Sequence, residues 1–138
     1  MMNPLNFMVL AKKMQAASEE SERRTAINRA YYAVYNHLAG FFRKNGLPVP
    51  RNVSGHTRVV DYLSNSNINN AGTIASYVRD LRQERNDADY EMEQSRFGVN
   101  TSQLIVMKAE MTLEEFDNLA IHSLIKNVRK YCKLKSYM

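Results

Sequence analysis

The densest chemistry in this chain is one short run, Arg85-Asn86-Asp87-Ala88-Asp89-Tyr90, which packs a guanidinium fork, an amide, two carboxylates and a phenol into less than two helical turns. A planar fork of donors is the side chain best suited to phosphate oxygens, so the density suits phosphate chemistry. Position sharpens the point. Apolar residues at Ile74, Tyr77, Val78, Leu81 and Ala88 mark one side of a helix, and Arg85 stands on that side where a core residue is due. Burying it alone would cost several kcal/mol, so it must meet a carboxylate, a partner chain or an anionic ligand. One solution is internal, an ion pair with Asp89 four residues on, with Arg82, Glu84 and Asp87 nearby.

Tyr31-Tyr32 is a second concentration of polar-tipped aromatics, in which one ring must leave the apolar stripe for a rim, a dimer contact or a functional role. The three histidines, His37, His56 and His122, fall in separate segments. His56 is the best placed of them to act as a base, with capping or solvent exposure as its plain alternative. No pair has metal-ligand spacing, and no glycine-rich phosphate loop or serine nucleophile motif is present. The residues therefore imply neither a metal nor a cofactor. Cys132 is the only cysteine, which excludes an intrachain disulfide and reads as a small buried hydrophobe.

The elements that must carry these groups are helical. At 138 residues and 44% apolar composition the chain makes one domain, long enough to bury roughly 68–70% of its unfolded surface. Disordered and collagen-like classes are excluded. The apolar runs fall far short of the ~20 residues that cross a bilayer and no basic-then-apolar leader opens the chain, so the expectation is a cytoplasmic protein without a membrane partner.

Asn3-Pro4 reads as N-cap and first residue of a short helix. Ser18, with Glu19, Glu20 and Glu22 behind it, reads as the start of a long second helix whose stripe is Ile27, Ala30, Tyr31, Val34, Tyr35, Leu38 and Phe42, ended by Asn45-Gly46. Pro48 and Pro50 keep the next stretch extended, a short helix covers Ser54 to Leu63, and the fourth runs from about Asn69 to Glu91. Thr112 and Glu115 read as a capping box opening the last long helix; Leu104-Ile105-Val106-Met107 before it could be strand-like, but in an all-helical chain Leu104 to Met111 reads as a helical turn. Five helices, three of them long, predict an all-α fold, an up-and-down antiparallel bundle with four core helices plus short accessory ones.

Net charge is +5, and all of it lies in residues 122–138, where Lys126, Arg129, Lys130, Lys133 and Lys135 meet no acid. A basic helix end complements the macrodipole, and it is also where Lys130 could touch a nucleic acid.

Two segments resemble a known family. Ala26-Ile27-Asn28-Arg29-Ala30-Tyr31-Tyr32-Ala33-Val34-Tyr35 is similar to the second-helix signature of HEPN domains (higher eukaryotes and prokaryotes nucleotide-binding). Leu81-Arg82-Gln83-Glu84-Arg85-Asn86-Asp87-Ala88-Asp89-Tyr90 is similar to the fourth, and Asn3-Pro4-Leu5-Asn6-Phe7 fits the short first helix. The resemblance implies a single HEPN-like domain over 1–138 that forms a homodimer and brings two fourth-helix motifs into a shared basic cleft. Many members are metal-independent ribonucleases of toxin, antiphage or CRISPR-associated systems, and others are toxin–antitoxin partners of a minimal nucleotidyltransferase. The active motif is Arg, four to six residues, then His. Arg85 and Asn86 match its start, but the position five residues on is Tyr90 and no histidine follows within the motif's reach.

Carried onto this chain, the resemblance implies Arg85, Asn86 and Tyr90 as catalytic residues. Arg82, Arg85 and Lys130 become RNA or phosphate contacts, and Asp89, Tyr31 and Tyr32 structural or dimer contacts. Ionising Tyr90 at neutral pH would need ~4 kcal/mol of environmental tuning. A non-catalytic interaction module is the alternative, and a third is Tyr90 as the acceptor of a nucleotidyl group.

Overall fold

The computed structural model describes residues 3–138. It has six helices and, among the described residues, no strand: α1 (Leu5–Met14), α2 (Glu20–Lys44), α3 (Ser54–Ser64), α4 (Ala71–Tyr90), α5 (Val99–Asp117) and α6 (Ile121–Leu134). None is long and apolar enough to cross a membrane.

The long α2 is the centre of the bundle, with α1, α4 and α5 packed around it. Its stripe from Ile27 to Phe42 is buried residue for residue, because spacings of three and four keep these side chains on one face. Cross-contacts fix the directions. Arg24 reaches Ala88, Asn28 reaches Asp89 and Tyr32 reaches Arg85, so α4 runs antiparallel to α2. Ser102 meets Arg23 while Phe116 meets Phe41, so α5 returns parallel to α2. The short α3 lies across α2 and α4 and carries α6 on its outer side.

The helix starts follow local chemistry in part. Leu5 N–H donates to Asn3 Oδ1 at 3.0 Å, the side-chain cap that Asn3-Pro4 predicts. Gly46 takes φ +76° just after α2, a conformation open to glycine at little cost. The Ser18 cap does not form: α2 starts at Glu20 with no side-chain cap, and the carbonyls of Ala17 and Ser18 instead accept from Arg23 at 2.8 Å each.

The Thr112–Glu115 capping box is also absent. Thr112 is buried in mid-α5 and its hydroxyl donates back to the Lys108 carbonyl at 2.7 Å, as an interior helical threonine does. The apolar period through Ile105, Ala109, Leu113 and Phe116 carries the helix past Thr112, and the break falls at Asn118–Ala120 instead. The bundle therefore has six helices rather than five. Residues 122–138 are mostly α6, a docked helix anchored by Leu124, Val128 and the fully buried Cys132, with its basic residues on the outer face.

Candidate functional site

Side chains from three helices converge where α3 crosses α2 and α4. From α4, spacing of three and four puts Arg82, Arg85 and Asp89 on the face turned toward α2. Arg85 is largely covered, its side chain 16% exposed. One of its NH2 groups donates to the Tyr32 hydroxyl, the other to the Asn86 amide oxygen, and its Nε lies 3.3 Å from Asp89 Oδ2. Asp89 also accepts from Asn28 Nδ2 at 3.0 Å, which fixes the carboxylate between α2 and α4. The Tyr32 ring lies 5.1 Å from the Arg85 guanidinium carbon, within cation–π range. The intrahelical Arg85–Asp89 pair thus forms, inside a wider network. Arg82 is half-buried on the same face and has no carboxylate or hydrogen-bond partner among the described residues.

His56 enters from the first turn of α3. Its ring stacks on Tyr35 at 4.0 Å between centroids and 14° between planes, with Tyr31 parallel to it at 5.6 Å and Tyr32 edge-on at 6.2 Å. The approach depends on Gly55. A Cβ at that position would collide with the Pro50 carbonyl oxygen and the Tyr35 hydroxyl, so only glycine lets the start of α3 sit this low on α2.

The Tyr31 hydroxyl is hydrogen-bonded to His56 Nδ1. Burial pushes Tyr31 well above its ordinary value, so it keeps its proton and donates. Nδ1 is then the acceptor and Nε2 carries the ring proton. Burial, reinforced by the charges of Arg82 and Arg85, lowers His56 from 6.5 to about 4. At neutral pH this cluster therefore holds two guanidinium groups, an uncharged imidazole and one carboxylate. Its excess of positive charge and its stock of donors suit an oxyanion. Its imidazole is a weak base.

Of the remaining expected residues, Tyr90 and Lys130 are not gathered here. Asn86 touches Arg85 directly, but Tyr90 is the last residue of α4, about 140° round the helix from Arg85, 71% exposed and without a hydrogen-bond partner among the described residues. Lys130 is exposed on α6 beside Asn65–Asn67, at the far end of α3 and roughly 14 Å of helix axis from His56. Tyr31 is part of the histidine stack and Tyr32 is a partner of Arg85, so both belong to the cluster.

His56 and Asn28 complete the site, and neither is legible as a member from spacing. The glycine directly before His56 was the one local signal of a close approach. Among the described residues no three His, Cys, Asp or Glu side chains come together as a metal would need. The chain matches no family model, no curated protein and no solved structure.

Proposed function

We propose that this chain is a HEPN-type bundle that binds RNA as a homodimer, holding a phosphodiester at the cleft of Arg82, Arg85 and His56. The observation that carries the reading is Arg82, a half-buried cation with no counter-charge, beside a second arginine and a neutral imidazole whose Nε2–H is free to donate. Such a group is stabilised by an incoming phosphate oxygen. Asp89 offsets only one of the two cations, so the cleft keeps a net charge near +1 at neutral pH.

The chemistry favours holding RNA over cutting it. Cleavage without metal needs a base for the ribose 2′-hydroxyl and an acid for the departing 5′-oxygen, and it leaves a 2′,3′-cyclic phosphate. His56 at about 4 is a poor base and Tyr31, raised by burial, is a poor acid. The test is binding of labelled single-stranded RNA in EDTA. Wild type should retain intact RNA, and Arg82→Ala and Arg85→Ala should each weaken binding. Cyclic phosphate ends in the wild-type reaction, lost in Arg85→Ala, would make the protein a nuclease. No binding by wild type would end the RNA reading.

A second reading rests on Tyr90. Its exposure leaves the hydroxyl open to a modifying enzyme, in line with a nucleotidyltransferase partner. Coexpression with that partner should add a nucleotide-sized mass to the peptide holding Tyr90, and an unmodified peptide would dismiss it.

A further inference from the structure

On the opposite flank of the first turns of α3 lies a cavity of about 410 Å³ lined by Arg43, Arg51 and Arg58 together with the segment Gly46–Pro50. Two of these arginines are held in place by neutral acceptors. Arg43 donates to the carbonyls of Val49 at 3.1 Å and Pro50 at 3.2 Å. The guanidinium carbon of Arg58 lies over the Tyr137 ring, 3.5 Å from its centroid, and the group reaches the Pro48 carbonyl. Arg51 is exposed at the mouth. None of the three has a carboxylate within ion-pair distance among the described residues.

Carbonyls fix a guanidinium but leave its charge in place, so three like charges share one concavity uncompensated. Arg129 of α6 is fixed nearby, donating at 2.9 Å to the carbonyl of Asn45, the chain neighbour of the lining residue Gly46. Two fixed forks and a third exposed one, with no acid among them, make the pattern of a phosphate subsite.

The cavity adjoins the cleft. Pro50, which lines it, presses its carbonyl against Gly55, the neighbour of His56. Arg58 follows His56 by two residues, on the other side of a helix about 10 Å across.

We propose that the Arg43–Arg51–Arg58 cavity is a second phosphate subsite, and that a single RNA strand crosses the N-terminal end of α3 from one subsite to the other. This deepens the RNA reading of the Arg82–Arg85–His56 cleft and rests on it. It makes the ligand a strand of several nucleotides rather than a mononucleotide. A dinucleotide fills the cleft alone, whereas a strand of about eight nucleotides spans both subsites, a length within the usual range for single-strand binders.

The test compares these two lengths by fluorescence anisotropy across a salt series. Arg51→Ala removes an exposed side chain with no hydrogen-bond partner among the described residues, so the bundle keeps its fold. It should weaken the longer strand roughly fivefold, reduce the slope of log affinity against log salt by about 0.7, and leave the dinucleotide unchanged. Arg51→Lys should retain most of the affinity. If Arg51→Ala leaves both lengths untouched while Arg82→Ala weakens both, the cavity is only an anchor for the proline segment. The inference then fails and the RNA reading stands. If wild type binds neither length, both fall.

Discussion

Arg24 and Arg85 hold equivalent places in their helices. Each is the next step of an apolar stripe, Arg24 three residues before Ile27 on α2 and Arg85 four after Leu81 on α4, and each must answer for a charge on the core side. Their solutions differ. Arg24 is 6% exposed and donates to the carbonyls of Ala88 at 3.0 Å, Glu91 at 2.9 Å and Gln94 at 2.8 Å. Glu20 lies 3.3 Å away as its counter-charge, and Phe97 covers the guanidinium. A cation on the free carbonyls of a helix C-terminus is favoured by hydrogen bonding and by the dipole, so Arg24 closes α4 and pins the turn after it. Its two terminal NH2 groups are thus taken by backbone carbonyls, and no fork faces solvent. Arg85 is paired too, but it shares its face with Arg82, which is not. The difference teaches that an arginine on an apolar stripe is a staple where backbone carbonyls take its terminal donors, and leaves room for an incoming anion where a neighbouring cation stays unpaired.

The comparison breaks first on stability. Arg24→Ala strips several buried carbonyls of their donor at once and should cost about 3 kcal/mol in urea unfolding, whereas Arg82→Ala should stay within about 0.5 kcal/mol of wild type. Similar losses from the two variants would erase the distinction between staple and recognition element. Arg24→Lys should recover only part of the loss, since a point charge cannot match the fork.

Gly55→Ala comes next. With no room for a Cβ between Pro50 and Tyr35, overpacking should cost about 1–3 kcal/mol and lift His56 off its stack, so RNA affinity falls with stability. Retained affinity in a destabilised Gly55→Ala protein would show that His56 is not part of the cleft.

The smallest effect is on pH. The folded value of His56, about 4, lies below its ordinary 6.5, so between these values the unfolded chain binds more protons than the folded one. This contribution is complete above pH 6.5 and is lost as pH falls toward 4. His56→Gln should flatten that part of the stability profile, and an unchanged profile would contradict the burial of a neutral imidazole.

These contrasts also show what was legible in the chain. The α2 stripe and the Arg85–Asp89 pair depend on spacing along one helix, and spacing is written in the sequence. His56, the histidine the sequence already favours as a base, is brought to Tyr31 by packing between elements 25 residues apart, a contact that no spacing along one helix records. Arg24 could have been found by the counting that singles out Arg85, since it extends the stripe in the same way. Thr112 misled because a hydroxyl followed by Glu115 is the pattern of a helix start, while the unbroken apolar period around it belongs to a helix interior. Lys130 and Tyr90 were grouped with Arg85 by charge and by motif position, and neither property fixes which face of the bundle a residue reaches.

The most direct test of the cleft is the titration of His56 followed by NMR of its ring protons, with and without single-stranded RNA. Without RNA it should titrate near pH 4, held down by burial and by Arg82 and Arg85. A bound phosphate offsets those two charges, so the midpoint should rise when RNA is added, and the rise should be smaller in Arg82→Ala. A midpoint near 6.5 in the free protein, or one that RNA leaves unmoved, would contradict the claim that an anion is held between these groups.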